Sequence, residues 1–487
     1  MEGIVNSING VLWSDYVIYI LLGVGLLFSI LTRFLQVRHV KEMVRLMFKG
    51  EKSAAGISSF QALSIALSGR IGTGNIAGVA TAIFYGGPGA IFWMWVIAFI
   101  GASSAFIEST LAQIYKTKQD GEYRGGPAYY IEKGLGWKWF AILFALASIL
   151  AMAVLQPGVQ ANAIAEGLNN AFGINPTFTG GAIVVLLALV IFGGTKRIAS
   201  TATVVVPIMA LGYMLLSLYV IIINITELPA VISLIVRSAF ALDSAFGGIL
   251  GMAIAWGVKR GIYSNEAGQG TGAHAAAAAE VSHPAKQGLV QAASVYIDTL
   301  FVCSATAFMI LFTGMYNTQG ADGSYIVHNV GEMEPGPGYT QAAIDSILPG
   351  FGAGFIAIAL LFFAFTTIMA LYYIAETNLG YLTRGKKGHV AKFILKLVTL
   401  TAVFTGTMNQ STLAWAMGDI GVGLMIWVNI IAILFLAKPA LLALKDYEQQ
   451  RKLGIDPVFS PKALGIKNAD YWEFEYTKQE KHSAKEK

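Results

Sequence analysis

The chain has 487 residues, of which 55% are hydrophobic and only 13% charged, with a formal net charge of +5 and a mean hydropathy of +0.62. A globular chain carries about 25% charged residues, so this one cannot present a solvated surface all round, and a soluble enzyme is excluded. No nucleic-acid partner is expected either, because the basic residues fall in short loops between apolar runs and form no single patch.

A helix needs roughly 20 apolar residues to cross the hydrocarbon core of a bilayer. Eleven runs approach that length: 14–34, 58–84, 89–115, 139–168, 179–193, 201–223, 243–280, 287–314, 349–376, 390–407 and 411–438. The first is expected to be a retained span and not a cleaved signal peptide. Met1 to Asp15 contains no Lys or Arg, and no A-x-A site follows. The run at 179–193 is short, and 243–280 is too long and too glycine-rich for one plain helix. The single cysteine, Cys303, lies in an apolar run and reads as a packed thiol, with no disulfide framework.

Lys and Arg collect in alternate loops, which orients the chain by the positive-inside rule. Arg33, Arg38, Lys41, Arg45, Lys49 and Lys52 follow the first run, and Lys116, Lys118, Arg124 and Lys133 follow the third. Lys196 and Arg197 come next, then Lys259, Arg260 and Lys286, then Arg384, Lys386 and Lys387. The segment 316–348 has four acidic residues and no basic one. The expected topology is an outside N-terminus and a cytoplasmic C-terminus. Residues 36–50 and 226–240 read as amphipathic helices on the membrane surface, and the charged tail from about 440 reads as a partly ordered cytoplasmic extension.

The most informative stretch is Ser68-Gly69-Arg70-Ile71-Gly72-Thr73-Gly74-Asn75-Ile76-Ala77-Gly78, in the middle of the second run. Each glycine weakens a helix by about 1 kcal/mol relative to Ala. Close packing through small residues would explain the glycines. It would not explain Arg70, Thr73 and Asn75 beside them near mid-membrane, where polar groups are costly and usually functional. A broken helix explains both. A second glycine-rich stretch runs from Ala245 through Trp256-Gly257 to Lys259-Arg260-Gly261 and Ser264-Asn265-Glu266-Ala267-Gly268. The two breaks open two sets of five spans that run in opposite directions, with the first span outside the repeat. Interrupted helices at matching places in two inverted halves point to a transporter with a site at the membrane midplane. A broken helix exposes unpaired N–H groups at one end and carbonyls at the other. The first suit a carboxylate and the second an ammonium or Na⁺, so a zwitterionic amino acid matches both.

These motifs resemble the alanine/glycine:cation symporter family. The resemblance rests on Ile71-Gly72-Thr73-Gly74-Asn75-Ile76-Ala77-Gly78, on Gly86-Gly87-Pro88-Gly89, and on Trp256-Gly257-Val258-Lys259-Arg260-Gly261 with Ser264-Asn265-Glu266-Ala267-Gly268. It covers about residues 10 to 440. It implies an all-α polytopic membrane protein of about 11 transmembrane helices, with a LeuT-like five-plus-five inverted repeat and one extra N-terminal helix. The corresponding divisions are 1–57, 58–225, 226–440 and a tail at 441–487. It implies symport of alanine and glycine, or alternatively glutamine, with Na⁺ as coupling ion (H⁺ in some members), and no organic cofactor. The partners are the amino acid and the lipid bilayer, with a monomer expected. By resemblance Gly72, Thr73, Gly74, Asn75 and Gln160 face the substrate. Phe246, Trp256, Tyr263 and Asn265 are candidate walls, depending on where the seventh span unwinds. The Na⁺ site common to the fold would use the carbonyls of Ser68 and Ile71 with Thr366 and Thr367, oxygen ligands that suit a hard cation.

Glu108, Asp298, Glu376 and Asp419 also fall in or near spans, where either a proton relay or a basic partner would account for them. Lys259 and Arg260 read as structural partners of Glu266 or Glu108, and Arg70 as a partner of Glu266 or part of an inner gate. An intramembrane hydrolase is disfavoured, since the six histidines lie in loops or at span ends and no nucleophile motif sits at the breaks. A channel would need a continuous polar lining, and here the polar residues cluster at one depth.

Overall fold

The computed structural model describes residues 2–48, 56–242, 245–384 and 388–476. Lys49, Lys52, Lys386, Lys387 and the tail beyond 476 lie outside the described residues. Eight helices are long and apolar enough to cross a membrane: Gly3–Leu31 (span 1), Gly89–Ile114 (span 3), Lys138–Phe172 (span 4), Gly194–Ile223 (span 6), Pro284–Thr313 (span 8), Gly352–Thr383 (span 9), Gly388–Gly406 (span 10) and Ser411–Lys452 (span 11). Span 5, Pro176–Ile191, is shorter at 16 residues. Spans 2 and 7 are each a pair of short helices end to end, Ser59–Arg70 with Val79–Gly86 and Leu250–Asn265 with Thr271–Ala278. Eleven crossings result among the described residues, as the apolar runs require.

Local chemistry sets the ends. Ser58 and Gln61 form a reciprocal capping box at the start of span 2. Asn175 caps span 5, and His283 caps span 8, each followed by a proline at the first helical position. Consecutive spans run in opposite directions, so most of the Lys/Arg-rich loops share one face, here called the basic face. Span 6 shows why the bulk of the molecule meets lipid. Val204, Ile208, Leu211, Leu215, Leu218 and Ile222 form an exposed stripe at helical spacing. Spans 2 and 7 are enclosed instead: span 3 packs on spans 1, 7 and 8, span 9 packs on span 4, and span 6 packs on spans 2 and 9.

Three features differ from the sequence reading or sharpen it. Lys259 and Arg260 are not loop residues. They lie in the first half of span 7 and pair with Asp419 of span 11, not with Glu266 or Glu108. The interruption of span 7, whose place within the glycine-rich stretch the sequence leaves open, falls at its far end, at Glu266–Gly270, because Leu250–Asn265 is a regular helix. Lastly, span 11 stays helical to Lys452, and the chain then returns along the basic face. There the Phe459 N–H donates to the Ser282 carbonyl (2.9 Å) and the Trp472 indole N–H to the Gln113 carbonyl (2.8 Å). The Lys116 ammonium sits 4.4, 4.5 and 5.2 Å from the ring centres of Tyr123, Tyr471 and Trp472. Burial draws Lys116 down to about 7, with Glu280 pulling the other way. The aromatic end of the tail is thus a docked element, held by these hydrogen bonds and, while Lys116 is charged, by its cation–π contacts.

Candidate functional site

Span 2 leaves its first helix at Ile71, whose backbone is extended, and resumes in a wide π turn at Gly74–Gly78. The amides freed by this break find side-chain partners. The Gly72 N–H donates to Asn75 Oδ1 (2.8 Å) and the Thr73 N–H to Gln160 Oε1 of span 4 (3.0 Å). Gly72 sits so close to span 9 that a methyl group there would collide with the Thr367 hydroxyl. In span 7 the break is built by left-handed residues: Glu266 at φ 57°, Gly268 at 83° and Gly270 at 86°. For glycine this region costs little, but for glutamate it is strained. Glu108 of span 3 holds the turn, accepting from the Gly270 N–H (3.0 Å) and the Asn429 amide (2.9 Å).

The packing of wider turns continues around these breaks. Span 4 carries a π turn at Ala151–Leu155, just before Gln156-Pro157, and span 8 carries one at Ile297–Cys303. Such turns are rare and appear frequently at functional sites. Gln156 and Gln160 are four residues apart and share one face of span 4, turned toward the break in span 2.

Between the breaks lies a central cavity with room for little more than a water molecule. Its lining combines Gly72, Gly74, Gln160, Tyr263 and Thr367, all expected from the sequence, with Gly69, Arg70, Gln156, Glu266, Gln269 and the apolar Met152, Leu371 and Val422. The Tyr263 hydroxyl donates to Gln156 Oε1 (2.9 Å). A larger cavity of about 580 Å³ opens on the face opposite the basic one, lined by Asn162, Glu166, Glu334, Gln341 and Asp345 among others.

The remaining residues expected at the site fall elsewhere. Phe246 packs at the far end of span 2 against Gly87, and Trp256 stacks on Tyr85 with ring centres 4.3 Å apart. Neither lines the central cavity. Asn265 caps the turn of span 7, accepting from the Ala267 N–H (3.0 Å) and donating to Thr299 (3.3 Å). Asn75 also turns from the cavity, its amide donating to Asp298 Oδ1 of span 8 (2.6 Å). The Thr73 hydroxyl is buried and has no hydrogen-bond partner among the described residues. The threonine pair on span 9 separates. Thr366 bonds back to the Phe362 and Phe363 carbonyls (both 3.0 Å) beside Met209. Thr367 lies 3.4 Å from the Ile71 carbonyl and 3.0 Å from that of Phe363. The Ser68 hydroxyl is taken by the Ile65 carbonyl (2.7 Å). Arg70 is fully buried and donates to Gln291 and Ser294 of span 8, with no ion pair among the described residues.

Gln156 and Glu266 were missed by the sequence reading as cavity residues. The first had a signal in its spacing from Gln160. The second sat within a quoted motif, but only the left-handed turn turns it inward.

Two helices broken at one depth, in halves of opposite direction, around a closed polar cavity define an inverted-repeat secondary transporter. The chain belongs to the sodium:alanine symporter family, whose model matches residues 1–461. It is similar to YrbD of Bacillus subtilis (strain 168), named as a sodium/proton-dependent alanine carrier, with 73% identity over 98% of this chain and 99% of that protein. It is also similar to GlnT of the same organism, named as a sodium/glutamine symporter, with 44% identity over 99% of this chain and 98% of that protein. Among solved structures it is similar to a variant of the Eremococcus coleocola manganese transporter, at a TM-score of 0.52 over 83% of this chain and 82% of that one. With 14% identity, that likeness is one of fold.

Proposed function

We propose that this carrier imports alanine and glycine across the cell membrane together with Na⁺, its basic face lying on the cytoplasmic side. The observation that carries this reading is that the break in span 2, at Gly72 and Gly74, and the carboxylate-bearing Glu266 of the break in span 7 line one small cavity. The amide end of the second half-helix suits a substrate carboxylate, and Glu266 supplies the counter-charge for the α-ammonium. Met152, Leu371 and Val422 leave an apolar corner that suits a methyl group. The name and 73% identity of the alanine carrier support the same substrate. A glutamine carrier is the second reading, supported by the more distant GlnT. Asn162, which could have met a side-chain amide, is instead bonded to the Gly406 and Asn409 carbonyls (3.3 and 2.7 Å).

Competition against radiolabelled alanine uptake in proteoliposomes separates the two. Glycine and alanine are expected to compete at least about tenfold better than leucine, the size of effect a pocket wall gives. Glutamine competing best would move the assignment to the second reading.

For the coupling ion, the Ile71 carbonyl and Thr367 hydroxyl are the oxygen ligands we favour, with Ser68 contributing through its carbonyl. Thr367→Val is expected to raise the Na⁺ concentration for half-maximal uptake by about tenfold, the worth of one hydrogen bond or ligand contact to a charge. Thr366→Val, whose hydroxyl bonds to its own helix, is expected to change it by less than about twofold. Equal effects of the two variants, or uptake indifferent to Na⁺, would refute this site.

A further inference from the structure

Asp298 is a buried carboxylate that the proposed transport site does not use. It is 0% exposed and sits in the π turn of span 8, beside both the break in span 2 and the end of the first half of span 7. Three neutral groups donate to it: the Asn75 amide (2.6 Å) and the Ser264 hydroxyl (3.0 Å) to Oδ1, and the Thr299 hydroxyl (2.7 Å) to Oδ2. Among the described residues no cation pairs with it. An ionised carboxylate in such a place costs several kcal/mol unless it meets a positive charge.

The charged and titratable groups around it do not meet that need. Arg70, at the end of the first half of span 2, directs Nη1 to Gln291 and Ser294, and its field is shared by Glu266, Glu108 and Asp298, the first two ahead of Asp298. Lys259 and Arg260 on span 7 are taken by Asp419. Tyr213 of span 6 bonds to Thr306 (2.6 Å), and Cys303 in the same π turn is a buried thiol.

The partners of Asp298 are of a kind that accepts either charge state. The Ser264 hydroxyl stands between Asp298 and the Cys303 sulfur, 3.2 Å away, and either atom of that second pair can be the donor. When a proton adds to Oδ1, the new O–H donates to Ser264 Oγ, and the Ser264 hydrogen turns to the sulfur. No heavy atom has to move. When the proton leaves to water, the hydroxyl turns back.

We propose that Asp298 is a proton-binding site, loaded from one side of the membrane and emptied on the other as the carrier cycles, in addition to the Na⁺ position at Ile71 and Thr367. Asn75 joins this site to the unwound turn, since its Oδ1 holds the Gly72 amide while its Nδ2 holds Asp298. Protonation thereby reports directly on the segment that the substrate carboxylate would touch. The inference rests on the reading of the chain as an alanine symporter.

The test uses the full-length purified protein in proteoliposomes carrying a lumenal pH dye, with a Na⁺ gradient imposed and radiolabelled alanine supplied. Wild type is expected to carry about one proton with each alanine, and Asp298→Asn to bring that ratio near zero whatever its residual rate. Where Asp298→Asn carries no alanine at all, Asp298→Glu is read instead. It keeps a titratable carboxyl and is expected to shift the pH of half-maximal uptake, and an unshifted profile overturns the proposal. Na⁺-driven alanine uptake by wild type without proton movement overturns it too, while leaving the symporter reading intact. So does an Asp298→Asn protein that keeps its proton ratio or loses Na⁺ uptake in its place. Absence of uptake of any amino acid would instead remove the symporter reading itself.

Discussion

Gly72→Ala is expected to lower alanine uptake by about 100-fold while leaving a folded, monodisperse protein. The added methyl meets the Thr367 hydroxyl head-on and comes within 3.0 Å of Gln160 Oε1. One of those groups is a proposed Na⁺ ligand, and the other receives the Thr73 amide. Span 9 cannot yield easily, because Thr367 is fixed at its own backbone by the Phe363 carbonyl. The unwound turn itself must therefore shift, and misplacing a binding group by about 1 Å can cost 10²-fold. Backbone strain is not the cause, since Gly72 is not among the residues with positive φ. Size-exclusion profile and thermal stability in detergent, measured beside uptake, separate a lost site from a lost fold. Wild-type uptake by this variant would mean that the break in span 2 is not where substrate and ion meet.

The break in span 2 was legible because glycines and polar residues coincide within eleven positions, and no apolar core requires that mixture. A break in span 7 was legible too, but its exact place was not. Gly257 and Gly261 lie inside a regular helix and serve close packing on span 3, whereas Gly268 and Gly270 take left-handed turns. A sequence presents both kinds as the same letter. Phe246 and Trp256 were misjudged as cavity walls for a related reason, since aromatic bulk marks a packed place without saying at which depth. Thr366 and Thr367 differ by about 100° of helix rotation, and only the direction of span 9 decides which one meets Ile71. The partnership of Asn75 with Asp298 spans 223 residues of sequence, beyond any local pattern. The number of crossings and their grouping into halves, by contrast, depend on run length and loop charge, which the bilayer imposes residue by residue.

Asp419→Ala is expected to destabilise the protein by about 3–5 kcal/mol, the range seen when one member of a buried ion pair is removed. Its carboxylate accepts from Arg260 through both oxygens, Nη1 to Oδ1 at 2.9 Å and Nη2 to Oδ2 at 3.0 Å, and meets Lys259 at 2.7 Å. A bidentate guanidinium–carboxylate pair is among the stronger polar contacts. Here it ties the first half of span 7 to span 11. Removing the carboxylate leaves the buried Arg260 guanidinium and the partly buried Lys259 ammonium as neighbours with no counter-charge. The rings of Trp256, Tyr263 and Trp415, at 5.1, 5.4 and 4.5 Å from the guanidinium, offset part of that cost by cation–π attraction. They cannot offset the repulsion between Lys259 and Arg260. Melting in detergent is expected to fall by on the order of 5–10 °C. Asp419→Asn, which keeps the shape and one acceptor, is expected to fall by less. Tyr263 packs against both Arg260 and Trp415 and lines the central cavity. The same variant should therefore weaken apparent alanine affinity more than it slows maximal uptake, because the wall of the cavity loses its support while the broken turns stay in place. A melting temperature within a degree or so of wild type would mean that solvent reaches the triad and that the two spans are held by apolar packing alone.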